Sequence, residues 1–227
     1  TTLGSDDGIG VATVMAVMED DTLKHGPLEA LLTVDEETCM YGVNNLQADT
    51  LQGRILLNFD DETEGQVIIG SAGGVNVTAE LEYKEVPTFR EDVAIKVELS
   101  GLKGGHSGLE INEGRANANK LLARFVREAI ANFGARLAEW HGGNMRNAIP
   151  RDAEAVLTAP KEDIEELKKA VPLWEDIFKQ EYGDIEKDLS FKAEDTALPA
   201  TEIPEEIQDN IVGAVMACHD GVLRYIP

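Results

Sequence analysis

The chain has 227 residues and a formal charge of -23, from 43 acidic against 20 basic side chains. So acidic a protein repels polyanions, which excludes nucleic acid and anionic membrane as partners. Its 43% hydrophobic content suits packed domains rather than disorder, and no apolar run approaches membrane-spanning length or reads as a secretory leader. Cys39 and Cys218 are far apart and form no paired framework, so a soluble protein of the reducing cytoplasm is expected.

In chain order, Thr1 to Gly10 (TTLGSDDGIG) reads as a Gly-rich turn between a strand and a helix, with Ile9, Val11, Val14, Met15, Val17 and Met18 making that helix apolar. Leu28 to Val34 is a short apolar run that predicts a buried strand, ending at Asp35-Glu36-Glu37. A helix over Glu36 to Leu46 follows, then a second strand from Arg54 to Phe59 that ends at Asp60-Asp61-Glu62. Alternating strand and helix predicts a parallel-rich sheet. Acid clusters at three successive strand ends would then meet at the carboxyl edge of that sheet, where ligands of open α/β folds bind. Such a cluster is most simply stabilised by a divalent cation on oxygen ligands. Each cluster also has a plainer interpretation: Asp6 or Asp7 as a helix cap, Asp60 to Glu64 as a solvated loop. Adjacent Glu36 and Glu37 could divide the labour, one binding metal and the other acting as general base in a hydrolysis.

Gly70 to Gly74 marks a break, so domains of 1–74 and 75–227 are expected. Beyond it Val75 to Leu81 and Val93 to Leu99 alternate as half-exposed antiparallel strands. Gly101 to Gly108 is a Gly-rich loop holding His106; a helix with Ala118, Leu121, Leu122, Phe125, Val126 and Ile130 on its core face follows. Arg136 to Trp140 and Asn147 to Thr158 read as strands, Ile164 to Phe178 as a helix kinked at Pro172, Phe191 to Pro204 as a loop, and Ile207 to Met216 as a final helix. This half is expected to be α+β. His106 taken alone could be unremarkable surface, Asn147 a polar residue before the Pro150 turn, and Cys39 a buried thiol. Ser107 lacks the partners of a catalytic serine.

The motifs TTLGSDDGIG at 1–10, HGPLEALLTVDEETCMYG at 25–42, NFDDETEG at 58–65, SAGG at 71–74, GLKGGHSGLEI at 101–111, NANKLL at 117–122 and NMRNAIPRDA at 144–153 carry a resemblance. They resemble the M20 di-metal peptidases, and within them the aminoacyl-histidine dipeptidases. The resemblance implies a catalytic zinc-peptidase-like domain with a parallel-rich sheet, followed by an α+β lid or dimerisation domain. It implies hydrolysis of dipeptides with C-terminal histidine, such as β-alanyl-histidine, at two divalent ions, zinc first, with manganese or cobalt as alternatives, in a protein able to form a homodimer. By the same resemblance Asp6 is similar to the carboxylate that bridges the two metals, preceding a peptide bond often cis in the family. Glu36 is similar to the base that deprotonates the attacking water, and Glu37 and Asp60 to ligands of one metal each. His106 is similar to the lid histidine that stabilises the oxyanion, and Asn147 to a lid residue that holds substrate.

Two departures accompany the resemblance. Cys39 stands where the family has Gly after EET, and Tyr41 where it has Asp. No histidine here matches the family's two imidazole ligands, and both ends read as cut, so the isolated chain is expected to be an internal segment with little turnover of its own. Two other classes compete. One is a non-catalytic metal-binding or dimerisation module with calcium or magnesium in its acidic loops. The other, a nucleotide-binding domain using Gly4 to Gly10, would face phosphates with two carboxylates of the wrong sign.

Overall fold

In the computed structural model, which describes residues 6–61, 63–71 and 73–225 and only the backbone of 38 and 39, the chain divides into two units, Thr1–Gly74 and Val75–Pro227. The expected burial of the Cys39 thiol and the Thr1 to Ser5 half of the opening turn lie outside the described residues.

In the first unit, helix α1 spans Gly8–Glu19 and is capped by Asp7, whose carboxylate accepts the Gly10 amide at 3.0 Å. A Cβ on Gly10 would lie 2.0 Å from the Asp7 carboxylate, so the cap requires a glycine there. The helix is apolar nearly all round, a composition suited to burial, yet Ile9, Met15 and Met18 are exposed. The strands expected over Leu28 to Val34 and Arg54 to Phe59 do not form ladders among the described residues, and Ile55 is 86% exposed. Apolar character favours burial, but a strand exists only where a neighbour completes its hydrogen bonds. Here a side chain ties the first run to the residues just before the second, the Glu29 carboxylate accepting the amides of Gln52 and Gly53 at 2.9 and 2.6 Å. The helix expected over Glu36 to Leu46 is instead two single turns, α2 Glu36–Cys39 and α3 Tyr41–Asn44, separated by Met40 in the left-handed region at φ 54. That turn brings the Gly42 amide to 3.0 Å from the Val34 carbonyl, an approach that leaves no room for a Cβ.

The strands of the second unit are β1 Val86–Pro87, β2 Val93–Ser100, β3 Gly105–His106, β4 Arg136–Gly142, β5 Ala148–Ile149, β6 Ala153–Ala159, β7 Ser190–Thr196 and β8 Thr201–Glu202; its helices are α4 Ala118–Phe133, α5 Ile164–Tyr182 and α6 Glu205–Ala217. Four strands form an antiparallel sheet in the order β4-β6-β2-β7. Along β2 the side chains of Ile95, Val97 and Leu99 are buried while Lys96 and Glu98 are not, the period-2 alternation of a sheet with one face against a core. Leu121, Leu122, Phe125 and Val126 of α4 and Leu167, Val171 and Phe178 of α5 cover the buried face. Asn117 caps α4 through the amides of Asn119 and Lys120, and Gly134 ends it in the left-handed conformation.

Three expectations change here. The stretch Phe191 to Pro204 is not a loop: β7 and β8 occupy it, β7 as an edge strand whose only fully buried side chain is Phe191. Asn147 to Thr158 is two strands, separated at Pro150. Val75 to Leu81 forms no strand, the short β1–β8 ladder lying beyond it. Helix α5 continues through Pro172. Among the described residues no helix is long and apolar enough to cross a membrane.

Candidate active site

The first unit brings four of the anticipated residues into one electrostatic neighbourhood. The carboxyl of Glu37 is held above the ordinary carboxylate range, first by the charge of Glu36, then by the charge of Asp6 and a hydrogen bond with its side chain, and more weakly by Asp60. Asp6 and Asp60 also line one cleft of about 590 Å³ together with Ile9 and Phe59. The geometry follows from the local chain. Asp6 precedes α1 and is joined to Asp7 by a cis peptide bond. Glu36 and Glu37 form the first turn of α2 after Asp35, whose φ of 55 turns the chain sharply at the end of the apolar run. Asp60 follows the second run, its amide bonded to the Asn58 side chain. Asp7 is committed to its cap, which leaves Asp6 as the member of the pair that faces the other acids. The donor set is all carboxylate oxygen and internally repulsive, which suits a hard or borderline divalent cation. Among the described residues no three His, Cys, Asp or Glu side chains converge closely enough to form a finished ligand set.

In the second unit the chain segments that carry His106 and Asn147 run alongside each other. β3 and β5 pair as Gly105↔Ile149 and His106↔Ala148, and the Ser107 amide donates to the Asn147 carbonyl at 2.9 Å. The imidazole is exposed, and its Nδ1 accepts the amides of Gly108 at 3.0 Å and Leu109 at 3.2 Å. A nitrogen that accepts two amide protons carries none itself, so the neutral ring is the Nε2–H tautomer and presents a donor outward. The glycines of the loop have two functions. Gly101, Gly104 and Gly105 adopt positive φ, and a Cβ on Gly105 would lie 2.3 Å from the Arg115 guanidinium.

Sequence reasoning missed the groups that brace this loop. Glu110 accepts the His106 amide with Oε2 and the Arg115 Nη2 with Oε1. Arg115 also donates from Nη1 to the Gly104 carbonyl at 2.8 Å, and pairs with Glu113 at 2.7 Å. Glu110 is held below the usual carboxylate range, first by the His106 amide and then by Arg115. Glu186, 1% exposed, accepts the amides of Lys103 at 2.7 Å and Ala116 at 2.9 Å, closing both ends of the loop. Glu110 and Arg115 stand five residues apart beside the glycine loop, a charge pair that could have been noticed; Glu186 carries no local signal.

A family model described as the peptidase dimerisation domain of the M20 group matches residues 97–186. The cytosol non-specific dipeptidase of Escherichia coli (strain K12) is 41% identical over 226 residues, which is 99% of this chain and 46% of that protein. The crystal structure of aminoacylhistidine dipeptidase from Vibrio alginolyticus superposes with a TM-score of 0.76 at 40% identity, over 99% of this chain and 46% of that one. The chain is a homologue of the M20 dipeptidases. An uncharacterized protein of Bacillus subtilis (strain 168), YqjE, is more distant, at 24% identity over 66% of this chain and 37% of its own. The chain thus spans about half the length, 46%, of these two dipeptidases. In this M20 homologue the matched dimerisation domain contains His106, Asn147, Glu110 and Arg115, and ends on the buried Glu186.

Proposed function

We propose that the chain supplies the carboxylate cluster and the lid histidine of a metal-dependent cytoplasmic dipeptidase that acts on Xaa-His dipeptides, β-alanyl-histidine among them. The observation that carries this is the cleft that Asp6 and Asp60 line together, with the charges of Glu36, Asp6 and Asp60 acting on Glu37. Asp6, Glu37 and Asp60 would hold two divalent ions, zinc first, with manganese and cobalt as alternatives. The bound ions supply Lewis acidity to the scissile carbonyl and to the attacking water. Glu36 takes a proton from that water and passes it to the leaving amine. His106, as the Nε2–H tautomer, donates to the carbonyl oxygen as negative charge develops there. Asn147, just before β5 and bonded through its carbonyl to the Ser107 amide, holds the substrate. Residues 97–186 would serve as lid and as homodimer surface.

A wider substrate range is a second possibility, since the relative from Escherichia coli is named a non-specific dipeptidase. The test is amino-acid release from β-alanyl-histidine, α-aminoacyl-histidines and dipeptides lacking histidine, by the protein at its natural length, with Zn²⁺, Mn²⁺ or Co²⁺ and an EDTA control. Metal-dependent release that Glu36→Gln removes supports a dipeptidase, and the panel decides its breadth. Divalent-ion binding with no cleavage of any dipeptide would instead make this a non-catalytic metal-binding or dimerisation module.

A further inference from the structure

His106 is gripped at both ends of its own backbone by one residue. Its amide donates to Glu110 Oε2 at 2.5 Å, and its carbonyl accepts the Glu110 amide at 3.0 Å. The second carboxylate oxygen of Glu110 is taken by Arg115 at 2.9 Å, and Arg115 in turn fixes the carbonyl of Gly104, two residues ahead of the histidine. With the backbone so held, the ring nitrogen Nδ1 meets the amides of Gly108 and Leu109. Two roles are therefore demanded of residue 110: one oxygen must accept from an amide and the other from a guanidinium. A carboxylate does both, whereas a carboxamide must turn its NH₂ toward one of two donors.

We propose that Glu110, locked by Arg115, is a positioning residue that sets His106 as an Nε2–H donor, an inference that rests on His106 acting as the oxyanion donor. Glu110 acts through the histidine and needs no contact with substrate. The arrangement makes the direction of the outward proton depend on an ion pair rather than on the ring's surroundings alone.

The test has a spectroscopic arm that is independent of activity. On the ¹⁵N-labelled chain, long-range ¹H–¹⁵N correlations of the His106 ring, recorded where the imidazole is neutral, report which nitrogen carries the proton. The wild-type ring is expected as a single Nε2–H form, and Glu110→Gln as a mixture with Nδ1–H, while the amide signals of β2 and β6 stay dispersed. Arg115→Gln should produce the same mixture, and it decides the matter if Glu110→Gln fails to fold. In the natural-length, metal-loaded protein, Glu110→Gln should lower kcat roughly tenfold at unchanged KM, and should add nothing in a His106→Ala background. A His106 ring that remains wholly Nε2–H in both folded variants would overturn the proposal. So would a kcat loss of the same size on top of His106→Ala. If His106→Ala itself leaves kcat unchanged, the oxyanion assignment falls separately, and the tautomer result still stands or falls on the spectrum.

Discussion

The carboxylate of Glu186 accepts the backbone amide of Ala116 at 2.9 Å across 70 residues of sequence, from a position that is 1% exposed. With its other oxygen on Lys103, it joins the two ends of the loop that carries His106 to the turn after α5. Glu186→Ala strands two amides in the interior, and a loss of roughly 2–4 kcal/mol of stability is expected. Urea unfolding followed by tryptophan fluorescence measures it. Glu186→Gln should fall between the two, since its amide end faces a donor. A Glu186→Ala midpoint equal to that of the wild type would contradict the bracing role.

Gly101 has φ +79, and a Cβ placed on it would lie 2.1 Å from the Asp188 carbonyl oxygen. The atom it meets is a backbone carbonyl and a Cβ is fixed to its own backbone, so no side-chain rotation relieves the clash. Gly101→Ala is expected to cost about 2–4 kcal/mol, combining left-handed strain with a forced shift. Gly213→Ala is the control, because nothing lies near a Cβ there and the site is helical. The control should be neutral or slightly stabilising by thermal unfolding.

Arg124 donates to both oxygens of Glu181 at 2.6 and 2.7 Å and lies over the rings of Trp174 and Phe178 at 5.5 and 5.4 Å. The hydrogen bonds from Arg124 lower the Glu181 pKa from its ordinary 4.5. A depressed carboxylate stabilises the fold fully above its unfolded value and loses that contribution as pH falls through the folded one. Stability of the wild type should therefore drop below about pH 4.5 by more than that of Glu181→Gln, as read from unfolding midpoints across the acid range. The difference should be about 1 kcal/mol or less, because the pair is partly exposed. Arg124→Ala also loses the ring contacts and should be the more destabilised of the two variants at neutral pH.

The carboxylate cluster predicts competition between protons and cations. Asp60→Asn and Asp6→Asn should each weaken Mn²⁺ or Co²⁺ binding by at least about tenfold in calorimetry, while Asp61→Asn, whose carboxylate is engaged with the Thr63 amide, should change it little. Equal affinity in all three variants would mean that the cluster is only a solvated acidic surface.

Much of the second unit was legible because burial on one face forces a period on the sequence. The i, i+3, i+4 recurrence of Ala118, Leu121, Leu122, Phe125 and Val126 specified α4, and the alternation of Ile95, Val97 and Leu99 specified β2. β7 escaped because an edge strand with one buried aromatic, Phe191, has almost no alternation to read. The apolar runs at Leu28 to Val34 and Arg54 to Phe59 misled in the opposite direction: they record a demand for burial, while pairing depends on which backbone lies alongside.

Asp6, Glu36, Glu37, Asp60 and His106 could be picked out from sequence, since carboxylates at the ends of apolar runs and a histidine among glycines are local patterns. By itself the sequence determined the strongly acidic charge, the helical and strand periods of residues 93–178, and which acidic and histidine side chains stand at the ends of apolar runs and in the glycine loop. Tertiary structure decided that Asp6 and Asp60 line one cleft, that the Asn147 carbonyl meets the Ser107 amide next to His106, and that Glu110, Arg115 and Glu186 fix the glycine loop. The physical reason is that charge fields and hydrogen bonds act through distances in space of a few ångström, whereas periodicity reports only which face of one element is turned from water.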